Sequence, residues 1–172
     1  MTGAAGGWAS LGSASSRCTT HIALKMTGKR VSYTLDSTLE SVNTVEQIAD
    51  KLAKDSGFED EERHKITMAV REAAVNAVLH GNAYDPSKKL TVGFDTTGEA
   101  LAISIADQGR GLDPASLPDP LAPENLLKQS GRGIFLIRTF MDEVRFRLLD
   151  PGTEITLIKR RGHAAESKEG SQ

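Results

Sequence analysis

The sequence predicts an α+β fold, a two-layer α/β sandwich in which a mixed, mostly antiparallel sheet carries its helices on one face. Segments with the alternating pattern of strands outnumber the helical segments that could cross over between parallel strands. In addition, the short turn sequences Thr97-Gly98 and Pro151-Gly152 join strands as hairpins, a connection that requires antiparallel neighbours. Both observations favour an antiparallel sheet with the helices segregated to one side.

The first predicted elements are a strand and two helices. Apolar and polar residues alternate over residues 31–35, which predicts a half-buried strand. Apolar residues three and four positions apart then predict a helix over residues 39–54, and Gly57 ends it. Apolar residues at the same spacing predict a second helix over residues 60–79.

The second half of the chain adds a hairpin, a long loop, a helix and a second hairpin. Strands are predicted over residues 88–96 and 101–105, on either side of a short turn. Residues 112–129 are rich in proline and lack periodicity, which predicts a long loop of the kind that often forms a lid. A third helix is predicted over residues 133–141. The last two strands are predicted over residues 144–148 and 153–157.

Length and composition limit the function classes. The 172 residues suit one domain, which we expect over residues 29–161, between a disordered leader (1–28) and a disordered tail (162–172). The net charge of −2 and the lack of a basic stripe argue against direct nucleic-acid binding. No apolar run approaches the roughly 18 residues of a membrane span. A single cysteine, Cys18, is typical of a reducing, cytoplasmic location.

The predicted second helix carries a carboxylate and an amide one turn apart. Glu72 and Asn76 lie on the same side of the helix, at the margin of its apolar face. The small residues Ala73, Ala74 and Ala77 leave room beside the helix for a ligand. An isolated pair with this spacing is more often a solvated polar flank, so the pair alone does not define a site.

Asp107 follows the strand over residues 101–105, in phase with its core-facing residues. A carboxylate in that position requires a partner, because burying an unpaired charge is strongly unfavourable. Gly109 and Gly111 would let the backbone turn tightly and approach a ligand closely. The local pattern is equally that of an aspartate-initiated turn with glycine at positive φ.

Gly131 and Gly133 lie at a predicted loop-to-helix junction. Exposed backbone N–H groups and the positive end of the helix dipole suit phosphate at such a junction. Leu136 occupies the position of the third glycine of a Rossmann loop, and no G-x-x-x-x-G-K-[ST] loop occurs, which excludes the two commonest phosphate loops. Arg132 and Lys128 are candidate phosphate contacts or ordinary surface charges, and the second reading is favoured for Lys128.

In this order the three motifs resemble the N, G1 and G2 boxes of the Bergerat-fold (GHKL) ATPases. The segments that carry the resemblance are residues 72–76, 107–111 and 131–136. The flanking segments 80–82 and 140–144 resemble those of bacterial anti-sigma factor serine/threonine kinases, which have a histidine kinase-like ATPase domain. The resemblance covers residues 31–160 and implies the Bergerat architecture, an α+β sandwich.

The resemblance implies ATP and Mg²⁺ as cofactors and a role for each motif. Glu72 would be the general base, Asn76 would hold Mg²⁺, and Asp107 would accept a hydrogen bond from the adenine amine. Thr153 would support Asp107 through its hydroxyl and a water. The remaining nucleotide contacts would come from Gly109, Gly111, Lys128, Ser130, Gly131, Arg132, Gly133 and Ile134.

The resemblance also implies a cytoplasmic homodimer that binds a sigma factor and phosphorylates a serine of a STAS-domain anti-sigma antagonist. Gln129 stands where several of these kinases have an arginine near the terminal phosphate. A nucleotide-binding, anti-sigma-like module without phosphotransfer activity is therefore the alternative. A third reading is a catalytic partner for a histidine-phosphotransfer protein, whose product would carry acid-labile rather than acid-stable phosphate.

Overall fold

A computed structural model describes residues 28–111 and 132–162 of the chain. The strands are β1 (Lys29–Asp36), β2 (Lys89–Thr96), β3 (Ala100–Ala106), β4 (Glu143–Leu149) and β5 (Gly152–Arg160). The helices are α1 (Leu39–Asp55), α2 (Asp60–Asn76) and α3 (Arg132–Phe140), and a π-helical turn, Ala77–Gly81, continues α2. The predicted loop over residues 112–129 lies outside the described residues, as do the predicted leader and tail apart from Gly28 and Gly162.

The five strands form one sheet in the order β1-β2-β3-β5-β4. Within the described ranges every neighbouring pair is antiparallel, and the two predicted hairpins, β2–β3 and β4–β5, are both present. In the first hairpin the N–H of Thr97 donates to the carbonyl oxygen of Ala100 over 2.9 Å, closing the turn. The predicted α+β fold is therefore confirmed.

The core lies between one face of the sheet and the three helices. Alternate residues of the central strands are buried against the helices because side chains along a strand point to opposite faces in turn. These residues are Leu90, Val92, Phe94, Leu101, Ile103, Ile105, Ile155 and Leu157. On α2 the buried residues follow the helical period, and they are Ile66, Ala69, Val70, Ala73 and Ala74. Each large apolar side chain buried in this way stabilises the fold by about 1.5–3 kcal/mol.

The predicted second helix differs from the structure at its end. Residues 60–79 were expected to be one α-helix, but the α-helical turns end at Asn76 and a wider π turn follows. The N–H of Asn82 donates to the carbonyl oxygen of Ala77, five residues back, over 2.8 Å. Ala83 and Tyr84 then adopt positive φ, at 54° and 58°. Such π turns are frequent at functional sites, and a single turn is too short for its wider period to be recognised in sequence.

Lys159 on β5 anchors the C-terminal end of α3. Its Nζ donates to the carbonyl oxygen of Phe140 (3.1 Å) and to Asp142 Oδ1 (3.4 Å), and it pairs with Glu62 Oε2 at 2.9 Å. The residue is only 8% exposed, so its charge is held by these partners rather than by water. The hydrogen bond from Lys159 lowers the pKa of Glu62. The network joins α2, the end of α3, the link between α3 and β4, and β5.

Candidate active site

A cavity of about 1030 Å³ opens beside α2 and the π turn, over the ends of β3 and β5 and against the first turn of α3. This volume is at the upper end of the range for small-molecule and cofactor sites. Parts of all three sequence motifs contribute to its wall. The predicted site residues that line it are Glu72, Asn76, Asp107, Gly111, Gly133, Ile134 and Thr153.

Glu72 and Asn76 form one wall of the cavity from α2, as their spacing predicts. Both are half-buried, and the small residues Ala73 and Ala77 line the cavity beside them. Opposite Glu72 stands the first turn of α3. A Cβ placed on Gly133 would overlap Glu72 Oε1, so the carboxylate lies directly against the α3 backbone.

Asp107 is buried at the end of β3, with 8% of its surface exposed. Its Oδ1 accepts hydrogen bonds from the N–H of Gly109 (2.8 Å) and the N–H of Thr153 (3.3 Å). Its own N–H donates to the carbonyl oxygen of Thr153 over 3.0 Å. Within the described ranges no hydrogen bond reaches Oδ2. One oxygen is thus held by the backbone, and the other is left to interact with a ligand in the cavity.

Burial raises the pKa of Asp107 above its ordinary value. The hydrogen bonds from Gly109 and Thr153 lower the pKa, as does the charge of Lys88, but these effects are smaller. A carboxylate in this environment gains from a ligand that donates a hydrogen bond, because the donor replaces the water that burial removed.

Glycines pack the backbone tightly around Asp107. A Cβ on Gly81 would overlap Asp107 Cγ, and a Cβ on Gly152 would overlap the carbonyl oxygen of Asp107. A Cβ on Gly109 would overlap the carbonyl oxygen of Gly81. Gly111 instead has a φ of +85°, which favours glycine for conformational reasons. The structure shows a close approach of Gly109 to Gly81, and the predicted close approach of Gly109 to a ligand stays a prediction.

Thr153 is buried behind Asp107, as its phase on β5 predicts. The contact that the structure describes between the two residues uses the backbone of Thr153, on both its N–H and its carbonyl oxygen. The water-mediated contact of its hydroxyl, implied by the family resemblance, remains a prediction.

The other predicted nucleotide contacts either do not line the cavity or lie outside the described residues. Arg132 begins α3 and is exposed, and it is not among the described residues that line the cavity. Gly109 is buried beneath the cavity wall rather than in it. Lys128, Ser130 and Gly131 lie outside the described residues.

Two residues of the site region were given no site role from the sequence. His80 is exposed and lines the cavity from the π turn. Asn82 is completely buried, and its side chain makes three hydrogen bonds. A glycine followed by asparagine at a helix end predicts a turn, and only the assembled fold shows that this asparagine is enclosed.

The sequence profile of the histidine kinase-like ATPase domain matches residues 35–159. The chain belongs to this family. A relative, the serine-protein kinase RsbW of Bacillus licheniformis, is 30% identical over 126 residues, which are 70% of this chain and 78% of that protein. An anti-sigma F factor of Anoxybacillus flavithermus is 34% identical over 113 residues, which are 63% of this chain and 74% of that protein.

Among solved structures, this histidine kinase-like ATPase domain is similar to the crystal structure of the RsbU and RsbW domains of a Mycobacterium tuberculosis protein. The TM-score is 0.57 at 25% identity, and the match covers 77% of this chain and 32% of that one. Together the comparisons confirm the resemblance to anti-sigma serine/threonine kinases, and with it the use of ATP. In the described ranges, no helix of this ATPase domain has the length and apolarity of a membrane span.

The cavity of this ATPase domain has the chemistry that a nucleotide needs. Ile105, Ile155 and Phe146 supply an apolar surface for a base, next to the open oxygen of Asp107. At the other side, the half-buried amide of Asn76 provides an oxygen ligand of the kind that Mg²⁺ takes. The residues present therefore fit both ATP and Mg²⁺.

Proposed function

We propose that this chain is an ATP- and Mg²⁺-dependent serine/threonine kinase that phosphorylates a STAS-type anti-sigma antagonist and thereby regulates a sigma factor. The observation that carries the proposal is the meeting of Glu72, Asn76, Asp107 and Gly133 around one cavity. Three of these residues have the types required at the ends of a nucleotide: an acceptor for the base, an amide for the metal and a carboxylate for the reacting hydroxyl.

At the end of the cavity that would hold the base, Asp107 would recognise adenine. Adenine carries an exocyclic amine that donates hydrogen bonds, whereas guanine and hypoxanthine carry a carbonyl oxygen at the corresponding position. The carboxylate oxygen left open in the cavity suits the donor and repels the carbonyl oxygen. Selectivity for adenine would thus come from the fixed, buried orientation of one acceptor.

At the phosphate end, Asn76 would hold Mg²⁺ together with phosphate oxygens and water. When bound, Mg²⁺ would neutralise part of the charge on the phosphates. The first turn of α3, at Gly133 and Ile134, lines the cavity close to Glu72. Backbone N–H groups at such a helix start are orientated toward an anion.

Glu72 would act as the general base. Its carboxylate would accept the proton of the substrate serine while the serine oxygen bonds to the γ-phosphorus of ATP. The bond from that phosphorus to the bridging oxygen breaks at the same time, and ADP leaves. The half-buried position of Glu72 beside the start of α3 supports this role, since a carboxylate needed only for solubility would face solvent.

The names of the relatives support the regulatory part of the proposal. One is a serine-protein kinase and another is an anti-sigma F factor, so kinase and sigma-binding activities occur in the same family. On this basis we expect a cytoplasmic homodimer that binds a sigma factor in one state and its STAS-domain antagonist in another. Phosphorylation would release the antagonist and leave the sigma factor captured.

A second candidate is a nucleotide-gated, anti-sigma-like module without phosphotransfer. The observation that favours it is Gln129, which stands where several such kinases have an arginine near the terminal phosphate. In that case the cavity would still bind ATP and the partner would still be captured, but no phosphate would move.

The deciding experiment is transfer of labelled γ-phosphate from Mg·ATP to a STAS-domain protein encoded beside this gene. ATP binding is measured in parallel, and Asp107→Asn serves as the binding-deficient control. Acid-stable phosphate on the antagonist supports the kinase. ATP binding without transfer favours the module, and acid-labile phosphate favours the histidine-phosphotransfer reading. Failure to bind ATP would overturn the proposal.

A further inference from the structure

Asn82 is a buried polar residue that makes contacts to three separate segments of the fold. It follows the π turn that continues α2, and none of its surface is exposed. Its Nδ2 donates to Ser37 Oγ at 3.0 Å and to the carbonyl oxygen of Lys89 at 3.0 Å. Its Oδ1 accepts the N–H of Gln108 at 2.8 Å. Both the nitrogen and the oxygen of the Asn82 side-chain amide are therefore hydrogen-bonded within the fold.

Asn82, Lys89 and Gln108 form a closed ring of three hydrogen bonds. The N–H of Lys89 donates to Gln108 Oε1 at 2.7 Å, the N–H of Gln108 donates to Asn82, and Asn82 donates back to Lys89. Each residue of the ring is both a donor and an acceptor. Hydrogen bonds connected in this way hold one another in orientation, and in a buried setting the loss of one leaves its partner unpaired.

The ring holds the residue next to Asp107. The Asn82 side chain fixes the peptide that joins Asp107 to Gln108, because it binds the N–H of that peptide. From the opposite side, the carbonyl oxygen of the same peptide is in contact with Gly152. The direction of the Asp107 carboxylate is thus determined by the position of Asn82 as well as by its own hydrogen bonds.

We infer that Asn82 is a positioning residue that sets adenine selectivity by holding Asp107 at a fixed place relative to α2. The inference rests on the proposed function, in which Asp107 reads the adenine amine. Because Asn82 also ends the turn that continues α2, it joins the base-reading end of the cavity to the helix that carries Glu72 and Asn76. Asn82 is among the residues that line the cavity, but its side-chain amide is already bonded to Ser37, Lys89 and Gln108, so it would act on nucleotide preference through Asp107.

The test compares the dissociation constants of ATP and ITP, which differ at the exocyclic group that Asp107 would contact. In the unchanged protein we expect ATP to bind more tightly than ITP. Asn82→Ala should reduce this preference by about tenfold, the value of one well-placed hydrogen bond, mainly through weaker ATP binding. Ser37→Ala is the matched control, since it removes a partner of Asn82 but leaves the ring to Gln108 complete.

A second variant keeps the test valid if Asn82→Ala does not fold. Gln108 is exposed, so Gln108→Ala should fold, and it removes the acceptor of the Lys89 N–H and opens the ring. Gln108→Ala should also reduce the preference for ATP, measured as the ratio of the ATP and ITP dissociation constants, but by a smaller factor. A purely structural role would weaken both nucleotides equally and leave the ratio unchanged.

Asp107→Asn, measured in parallel, separates two kinds of failure. If it alters the ratio while Gln108→Ala and a folded Asn82→Ala do not, the positioning role of Asn82 is overturned and the adenine contact stands. If Asp107→Asn leaves the ratio unchanged, the adenine assignment itself is wrong, and the role of Asn82 is rejected with it.

Discussion

The carboxylate of Glu72 on α2 lies against the backbone of Gly133 on α3, so closely that no side chain could be placed at Gly133 without moving it. The two residues are 61 positions apart in sequence, from 72 to 133. The packing of α2 on α3 therefore places the candidate base beside the helix start that would hold phosphate.

Gly133→Ala should separate nucleotide binding from phosphate transfer. The new methyl group would displace the flexible Glu72 side chain rather than the backbone, so the fold should be retained. We expect ATP affinity to change little and single-turnover transfer to fall at least about tenfold, the loss produced when a catalytic group is moved out of position. Equal losses in binding and transfer would show that Gly133 supports the nucleotide and not Glu72.

Gly81→Ala should weaken ATP binding through Asp107. A Cβ at Gly81 would overlap the carboxyl carbon of Asp107, which is buried and hydrogen-bonded and has little freedom to move. We expect the dissociation constant of ATP to rise at least about tenfold, the effect of one lost charged hydrogen bond. Gly98→Ala is the control, because a Cβ there meets nothing within 4 Å. Normal ATP binding by Gly81→Ala would exclude Asp107 as the adenine acceptor.

Asp107→Asn should stabilise the nucleotide-free protein while it removes ATP binding. Burial raises the pKa of Asp107 in the folded state, so ionisation opposes folding. Stability should therefore fall as pH rises from the unfolded-state pKa, about 3.9, through the raised folded-state pKa. Asparagine does not ionise and keeps an oxygen for the N–H groups of Gly109 and Thr153.

The measurement for Asp107→Asn is the Tm of both proteins without nucleotide across this pH range. The variant should have the higher Tm at pH 7, and the difference should disappear by pH 3. A lower Tm for the variant at pH 7 would show that the ionised carboxylate stabilises the fold, and would contradict the effect assigned to burial.

Lys159→Met should destabilise the fold because it leaves three acceptors of the α3 anchor without their cation. We expect a loss of about 2 kcal/mol in the free energy of unfolding, measured by urea denaturation, since the Glu62 and Asp142 side chains are about a third exposed and regain water. Arg147→Met is the control, since it breaks a surface pair with Glu154 that is worth at most about 1 kcal/mol. A loss for Lys159→Met of no more than about 1 kcal/mol would show that the anchor contributes no more than a surface ion pair.

The stability loss of Lys159→Met should also depend on pH. Lys159 lowers the pKa of Glu62, so the stabilisation from this pair is present above the unfolded-state pKa of Glu62 and is lost as pH falls through its lowered, folded-state pKa. The difference between wild type and Lys159→Met should therefore become smaller in acid. A difference that grew as pH fell would contradict this assignment.

Much of the site could be predicted because its residues occur in local patterns. The spacing of Glu72 and Asn76 places them on one flank of a helix, and strand phase buries Asp107 and Thr153. Each of these inferences needs only a few consecutive residues. The same holds for the sheet, where two short turns require antiparallel hairpins.

The remaining features depend on contacts between distant segments. The π turn after Asn76 is only 5 residues long, too short for its wider period to appear in the apolar pattern, so its sequence does not distinguish it from an α-helix. Asn82 is typical of a turn residue, and its burial results from the convergence of Ser37, Lys89 and Gln108. The phosphate contact of Arg132 stays a prediction, since a position in a motif does not determine where a long side chain points.

The role of Glu72 as general base is tested most directly by Glu72→Gln, which keeps the shape of the side chain and removes its ability to take a proton. Binding of Mg·ATP and single-turnover transfer to the antagonist would be measured on the same preparation. We predict an ATP dissociation constant within about twofold of wild type and transfer reduced by about 100-fold or more, the usual contribution of general-base catalysis. Transfer at the wild-type rate would contradict the assignment and leave Glu72 as part of the cavity wall only.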